Sequence, residues 1–228
     1  GGGGGSGGGS GSGSGTGTEE DTDAFTFEDG EELSEEDVSR IIGANQEGSV
    51  ILRTGTLTII IPEGTLSEGD DVNDLIPDTK NIGRSNVVAY TDKNGIVHTV
   101  ILSNVENGKA TFVVTEPGRY FLEGRDGSFS DTQGHWAEEE IEFAVVHGLF
   151  AGTGINTFSP DIPMTRSMLV TVLYRLAGQP GVEGSNVYSD VEDGTWYTDA
   201  VIWAAGEGIV SGYGDSIFGT NDIITRQD

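Results

Sequence analysis

A Thr-Arg pair stands at Thr165-Arg166 and again, sixty positions later, at Thr225-Arg226. A guanidinium offers paired N–H donors that grip a carboxylate bidentately, and the unbonded N–H groups of a helix start also attract anions. Each Thr is placed to cap a helix, so each Arg falls in a first turn. There the helix dipole disfavours a cation by about 0.3–1 kcal/mol, and an anion alongside would offset that cost. The background is acidic, with 11 Lys and Arg against 38 Asp and Glu and a net charge of −27. Beyond Arg125 the cations are Arg166, Arg175 and Arg226. The chemistry on offer is local capture of a carboxylate. The alternative is an ion pair inside the fold, with Asp131 or Asp190, that merely fixes the structure.

These pairs belong to a longer duplicated segment. Trp136 aligns with Trp196, Ile141 with Val201, Ala144 with Ala204, Gly148 with Gly208, Gly152 with Gly212 and Phe158 with Phe218. Upstream, Phe129-Ser130-Asp131 aligns with Tyr188-Ser189-Asp190. A fixed long period marks one structural unit used repeatedly. Each copy reads as helix, loop, helix. Trp136, Ile141, Ala144, Val145 and Leu149 recur at helical spacing, and Gly148 is placed to end that helix in a left-handed conformation. After a Gly-rich loop and Phe158-Ser159-Pro160-Asp161, Thr165 opens a second helix whose expected buried stripe is Met168, Leu169, Val172, Leu173 and Leu176. Trp136 and Trp196 either stack on a sugar face or anchor the core. Gly152 and Gly212 either admit a ligand close to the backbone or serve tight loop geometry.

The ordered series Phe129-Ser130-Asp131, His135-Trp136-Ala137, Gly148-Leu149, Phe158-Ser159-Pro160-Asp161 and Met164-Thr165-Arg166 resembles the S-layer homology domain, and the second copy repeats it. The likeness covers roughly residues 126 to 228. It implies all-α repeats that anchor a protein non-covalently to the bacterial cell wall by binding secondary cell-wall polysaccharide, often through pyruvylated sugars. On that reading the ligand-binding residues are Arg166, Arg226, Thr165, Thr225, Trp136, Trp196, Gly152 and Gly212. The family pattern has Glu three residues after the Thr; Met168 replaces it in the first copy and Asp228 in the second.

The organisation expected is a Gly/Ser-rich flexible linker over 1–18, an acidic segment and β-rich domain over 19–125, repeat 1 over 126–184 and a truncated repeat 2 over 185–228. The fold class is α+β multidomain, a sandwich-like β-rich domain with one helix followed by helical repeats. Ser34 caps the helix, which runs to Ile42 and ends near Gly43. Strands are predicted at 50–52, 57–61, 87–90, 97–102, 110–114 and 120–122, forming a small antiparallel sheet or sandwich, with Asn94-Gly95 and Asn107-Gly108 as hairpin turns. Asp70, Asp71 and Asp74 lie in a stretch without the spacing of a calcium loop and read as a solvated loop.

The charge excludes nucleic acid and anionic membrane surfaces as partners, and no apolar run is long enough to span a bilayer. His98, His135 and His147 show no metal spacing, and no cofactor motif appears. No nucleophile motif or phosphate loop supports an enzyme within this chain. The partner expected is an anionic cell-wall polysaccharide, the location extracellular at the cell wall or S-layer. The chain reads as a fragment whose incomplete second repeat would favour self-association. The rival functions are a self-assembling surface protein and the anchor portion of a larger secreted enzyme.

Overall fold

The computed structural model describes residues 22–80, 82–83 and 86–225. The tether expected over residues 1–18, and Arg226, lie outside the described residues. Among the described residues eight strands form two sheets: β1 (Thr22–Thr26), β2 (Ser49–Arg53), β3 (Leu57–Ile61), β4 (Asn86–Thr91), β5 (Val97–Thr99), β6 (Ser103–Glu106), β7 (Lys109–Val113) and β8 (Arg119–Gly124). One sheet has the order β1-β2-β3-β7-β6 and the other β5-β4-β8. The expected all-antiparallel pairing is corrected here. β1 lies parallel to β2 and β3 parallel to β7, because long connections, not hairpins, join those partners. The predicted strand over 97–102 splits as well: β5 stops at Thr99, Val100 turns inward, and β6 crosses to the other sheet.

Alternation sets the core. On β3, Leu57, Ile59 and Ile61 are buried and their neighbours only partly so, and β2 buries Val50 and Leu52. Phe112 on β7 stacks on Tyr120 of β8 at 5.3 Å, and Tyr120 stacks on Tyr90 of β4 at 5.0 Å, so three rings join the sheets. Helix α1 (Glu35–Asn45) opens at Ser34, whose hydroxyl accepts from the Asp37 N–H. It runs past Gly43 to Asn45, a fully buried residue whose Nδ2 donates to the carbonyls of Ile61 and Pro62 and whose Oδ1 accepts from the Leu66 N–H. That amide fastens the helix end to the sheet, which Gly43, with no positive φ, does not. Asp71 caps the 3-10 turn Val72–Leu75, and Asp70 accepts from the Ser67 N–H, so these acids are spent on local turns.

The repeats contribute α2 (Glu138–Val146), α3 (Arg166–Leu176) and α4 (Thr198–Gly206). α2 ends at Gly148 with φ 74°, and α4 ends at Gly208 with φ 69°, each followed by an N–H that reaches back to an alanine carbonyl. α3 packs on α4, and the core there unites Val170 with Val191, Ala200, Val201, Ala204 and Phe218. The second helix of the first copy thus shares its core with the second copy. This displaces the expected α3 stripe: Ser167, Val170 and Thr171 are buried, whereas Leu176 is exposed and Met168 and Val172 only partly covered. A helical wheel locates an apolar face, but the position of the neighbour decides which residues are buried.

Candidate functional site

The loop of each copy is built by one latch. Phe129 packs its ring where a side chain on Gly152 would sit, since a Cβ there would lie 2.5 Å from that ring and 2.7 Å from the Thr157 carbonyl oxygen. Tyr188 does the same at Gly212, at 2.6 Å, with the Ile217 carbonyl oxygen at 2.5 Å. Ser130 and Ser189 donate from both N–H and hydroxyl to the carbonyls of Asn156 and Ser216. Asp131 accepts from the N–H groups of Phe158 (2.9 Å) and Ser159 (2.7 Å). Asp190 accepts from Phe218 (2.7 Å), Gly219 (2.8 Å) and Thr220 (3.2 Å). The Phe158 and Ser159 N–H groups hold the Asp131 carboxyl below its ordinary range, against slight desolvation. At Asp190 partial burial pushes upward, and the three N–H groups outweigh it. These acids brace backbone, and among the described residues they pair with no arginine.

Thr165 caps α3 as expected, accepting from the Met168 N–H at 3.3 Å. The donors that would favour an anion at this helix start are engaged by the second copy: Arg166 N–H donates to Asp222 carbonyl (2.9 Å) and Ser167 N–H to Thr220 carbonyl (3.3 Å). Ile224 N–H donates to the Met164 carbonyl, so residues 220–224 run alongside 164–167. The Arg166 side chain continues the same contact. Its Nε donates to Phe218 carbonyl at 3.1 Å and its Nη2 to Ser211 carbonyl at 2.9 Å. Its planar face lies 4.7 Å from the Tyr213 ring centre and 4.8 Å from that of Phe218. The structure therefore brings Arg166 to the Gly212 loop of the other copy, with Thr165 beside Ile223, and not to Gly152. Thr225 follows this docked strand.

The Gly152 loop opens instead onto a cavity of about 640 Å³, lined by Gly152, Phe158, Met168, Val172, Arg175 and Trp196. Arg175 donates from Nη1 to Leu149 carbonyl at 3.0 Å, and its half-burial draws its pKa down. Trp196 reaches this cavity from the second copy. Its ring is 58% exposed and meets Tyr197 edge-on at 5.0 Å, while Trp136 is 87% exposed beside His135. Neither tryptophan anchors the core, because each precedes its helix by two residues and projects outside the packed face.

Residues 128–167 and 187–228 match the family model of the S-layer homology domain. An amylopullulanase of Thermoanaerobacterium thermosulfurigenes is 29% identical over 125 residues, 55% of this chain and 7% of that protein. Endo-1,4-beta-xylanase A of Thermoanaerobacterium saccharolyticum is 29% identical over 143 residues, 54% of this chain and 12% of that protein. Cell surface glycoprotein 1 of Acetivibrio thermocellus is 33% identical over 104 residues, 41% of this chain and 4% of that protein. The chain carries two tandem S-layer homology repeats. It spans only a small part of the curated relatives it matches.

Within these S-layer homology repeats, sequence reasoning missed Arg175 and the transfer of Trp196 to the neighbouring loop. The signal for Arg175 was available, since Met168, Val172 and Arg175 fall at helical spacing on one face of α3. The partnership of Arg166 with carbonyls 45 and 52 residues away has no local signature.

Proposed function

We propose that this chain is a non-catalytic anchoring module that binds an anionic, pyruvylated secondary cell-wall polysaccharide through its S-layer homology repeats. It is a protein of the bacterial cell surface, and no helix among the described residues is long and apolar enough to cross a membrane. The observation that carries the ligand reading is the groove beside Gly152, where an exposed Trp196 ring, a loop backbone and the Arg175 guanidinium meet. A pyranose has an apolar face suited to the indole, and a ketal-linked pyruvate adds a carboxylate suited to a guanidinium. In this reading Arg175 meets the carboxylate and Trp196 the ring. Gly152 lets the loop approach, and Arg166 with Thr165 positions the Gly212 loop. Arg226, Thr225 and Trp136 complete the proposed ligand set.

Retention on purified wall polymer, before and after chemical removal of pyruvate, tests this. Strong retention that falls on pyruvate removal is expected, and Arg175→Gln should lower it about 10- to 100-fold, the scale of one hydrogen bond to a charged group. Equal retention on both polymers would sink the carboxylate role, and no retention on either would sink the anchor.

A second reading is favoured by the relatives: two are named as polysaccharide-degrading enzymes, and the matching part covers 7% and 12% of them. The chain then serves as the anchor portion of a larger secreted enzyme, with no catalysis of its own.

A further inference from the structure

The β-rich domain holds a side-chain cluster unrelated to the repeats. Asp92 directly follows β4, His98 lies in β5, and Glu116 sits in the turn between β7 and β8, and one ligand atom from each lies within 4.8 Å of the others. We propose that Asp92, His98 and Glu116 form a site for a divalent cation of the zinc type, with one imidazole nitrogen, two carboxylate oxygens and an open position for water.

The geometry is prepared for such an ion. An ion about 2.0–2.2 Å from each donor sets ligand separations of about 3.3–3.5 Å, and His98 Nε2 already stands 3.1 Å from Asp92 Oδ2. Each ligand is also steered by a group outside the triad. Asp92 Oδ1 accepts from the Asn94 and Ile96 N–H groups, both at 2.8 Å, which leaves Oδ2 turned toward His98. Tyr90 stacks on the His98 ring at 5.0 Å and 20°, and its hydroxyl donates to Glu116 Oε1 at 2.9 Å. One tyrosine thus orients the imidazole and one carboxylate, the arrangement by which outer groups fix metal ligands. Glu116 is exposed, and with Oε1 held by the Tyr90 hydroxyl it is Oε2 that would meet the ion. With the proton on Nδ1, Nε2 is the coordinating atom. An imidazole donor selects zinc-type ions over calcium, which takes oxygen ligands. The ion would tie the β4–β5 hairpin to the β7–β8 turn, far from Trp196 and Arg175 in sequence and independent of polysaccharide binding.

The test uses the whole chain, freed of metal by chelation and titrated with Zn²⁺ alone against a chromophoric chelator. One tight equivalent is expected, above the weak binding that 38 acids give any dication. Its affinity should fall at least tenfold in Glu116→Gln, which keeps an acceptor for Tyr90, and in His98→Asn, with far-UV circular dichroism unchanged. Zn²⁺ should shift the ring resonances of His98, leave those of His135 and His147 in place, and raise the Tm of the parent chain alone. The proposal is overturned by no stoichiometric phase, by equal affinity in folded variants, by shifts at His135 in place of His98, or by displacement with equimolar Ca²⁺. Polymer retention should be the same with and without Zn²⁺, so this site and the anchor stand or fall separately.

Discussion

The two repeats share a latch and differ in what fills the loop it holds. In the second, Phe218 is fully buried and the Arg166 guanidinium lies against the rings of Phe218 and Tyr213 while bonding two loop carbonyls. In the first, Phe158 is only partly covered, Thr153 stands where Tyr213 does, and a cavity takes the place of the guanidinium. The same sequence motif therefore yields a closed, structural loop and an open, accessible one. The difference comes from the neighbour: α3 and Arg166 of the first repeat complete the second, and among the described residues nothing equivalent completes the first.

The largest test of this contrast is truncation of the matched phenylalanines. Phe218→Ala empties the composite core and should cost about 3–5 kcal/mol, measured by chemical denaturation. Phe158→Ala, at the cavity wall, should cost less than half as much. Equal losses would mean that the first loop is as well packed as the second, and the contrast would fail.

The matched phenylalanines also show how far the sequence could be read. The period, the Thr165 cap, the left-handed Gly148 and the Asn107-Gly108 hairpin turn were legible, because each shows in a local pattern of residues. The β-rich class and α1 were legible for the same reason. The parallel pairing of β3 with β7 was not, nor the burial of Val170 in place of Leu176, nor the docking of Arg166 on the opposite loop. In each case a partner more than thirty residues away decides the outcome. The latch was not legible either: Asp131 and Asp190 read as arginine partners, because the N–H groups they accept from lie 27 to 30 residues further on. The dipole argument at Arg166 identified a real electrostatic cost, but carbonyl oxygens and two ring faces offset it in place of a carboxylate. Of the proposed ligand set, Trp196 and Gly152 are brought together; Arg166 meets the loop around Gly212 at Ser211 and Phe218 as a separate structural contact.

The two arginines sharpen the contrast further. Arg166→Ala should destabilise the fold by about 2–3 kcal/mol, through hydrogen bonds from a charged donor and the lost ring contacts. Arg166→Lys should recover less than half of that, since an ammonium cannot span both carbonyls in a plane. Arg175→Gln should cost less than Arg166→Ala, about 1 kcal/mol, since it gives up one hydrogen bond, to the Leu149 carbonyl, and no ring contact, while lowering polymer retention. If Arg175 proves the more destabilising and Arg166 the more important for retention, the assignment of structural and open loops must be reversed.

The smallest effect separates the repeats by pH. His147 is buried at the end of α2, and its counterpart in the second repeat is the exposed Glu207. Its Nδ1 donates to Phe143 carbonyl at 2.8 Å, and its Nε2 lies 3.2 Å from Ser103 Oγ of β6, so the ring joins the first repeat to the sheet. Ser103 also lies 2.7 Å from Val100 carbonyl, and its single proton serves only one of the two. Burial, with a smaller push from Arg125, lowers the His147 pKa below that of a free imidazole, against the raising effect of Phe143 and Ser103. The unfolded chain therefore takes up a proton first as pH falls through about 6.5. Stability from this group is complete above that value and declines below it toward the folded pKa, by at most about 1.4 kcal/mol per pH unit. The latch carboxylates Asp131 and Asp190 have lowered pKa values, so their contribution is lost only below about pH 4, a separate window. His147→Gln should flatten the profile between pH 5 and 6.5 and leave the acid limb unchanged, in denaturant midpoints read across pH. A parent chain that is no less stable at pH 5.5 than at 7, relative to that variant, would show that the first repeat does not rest on a neutral histidine.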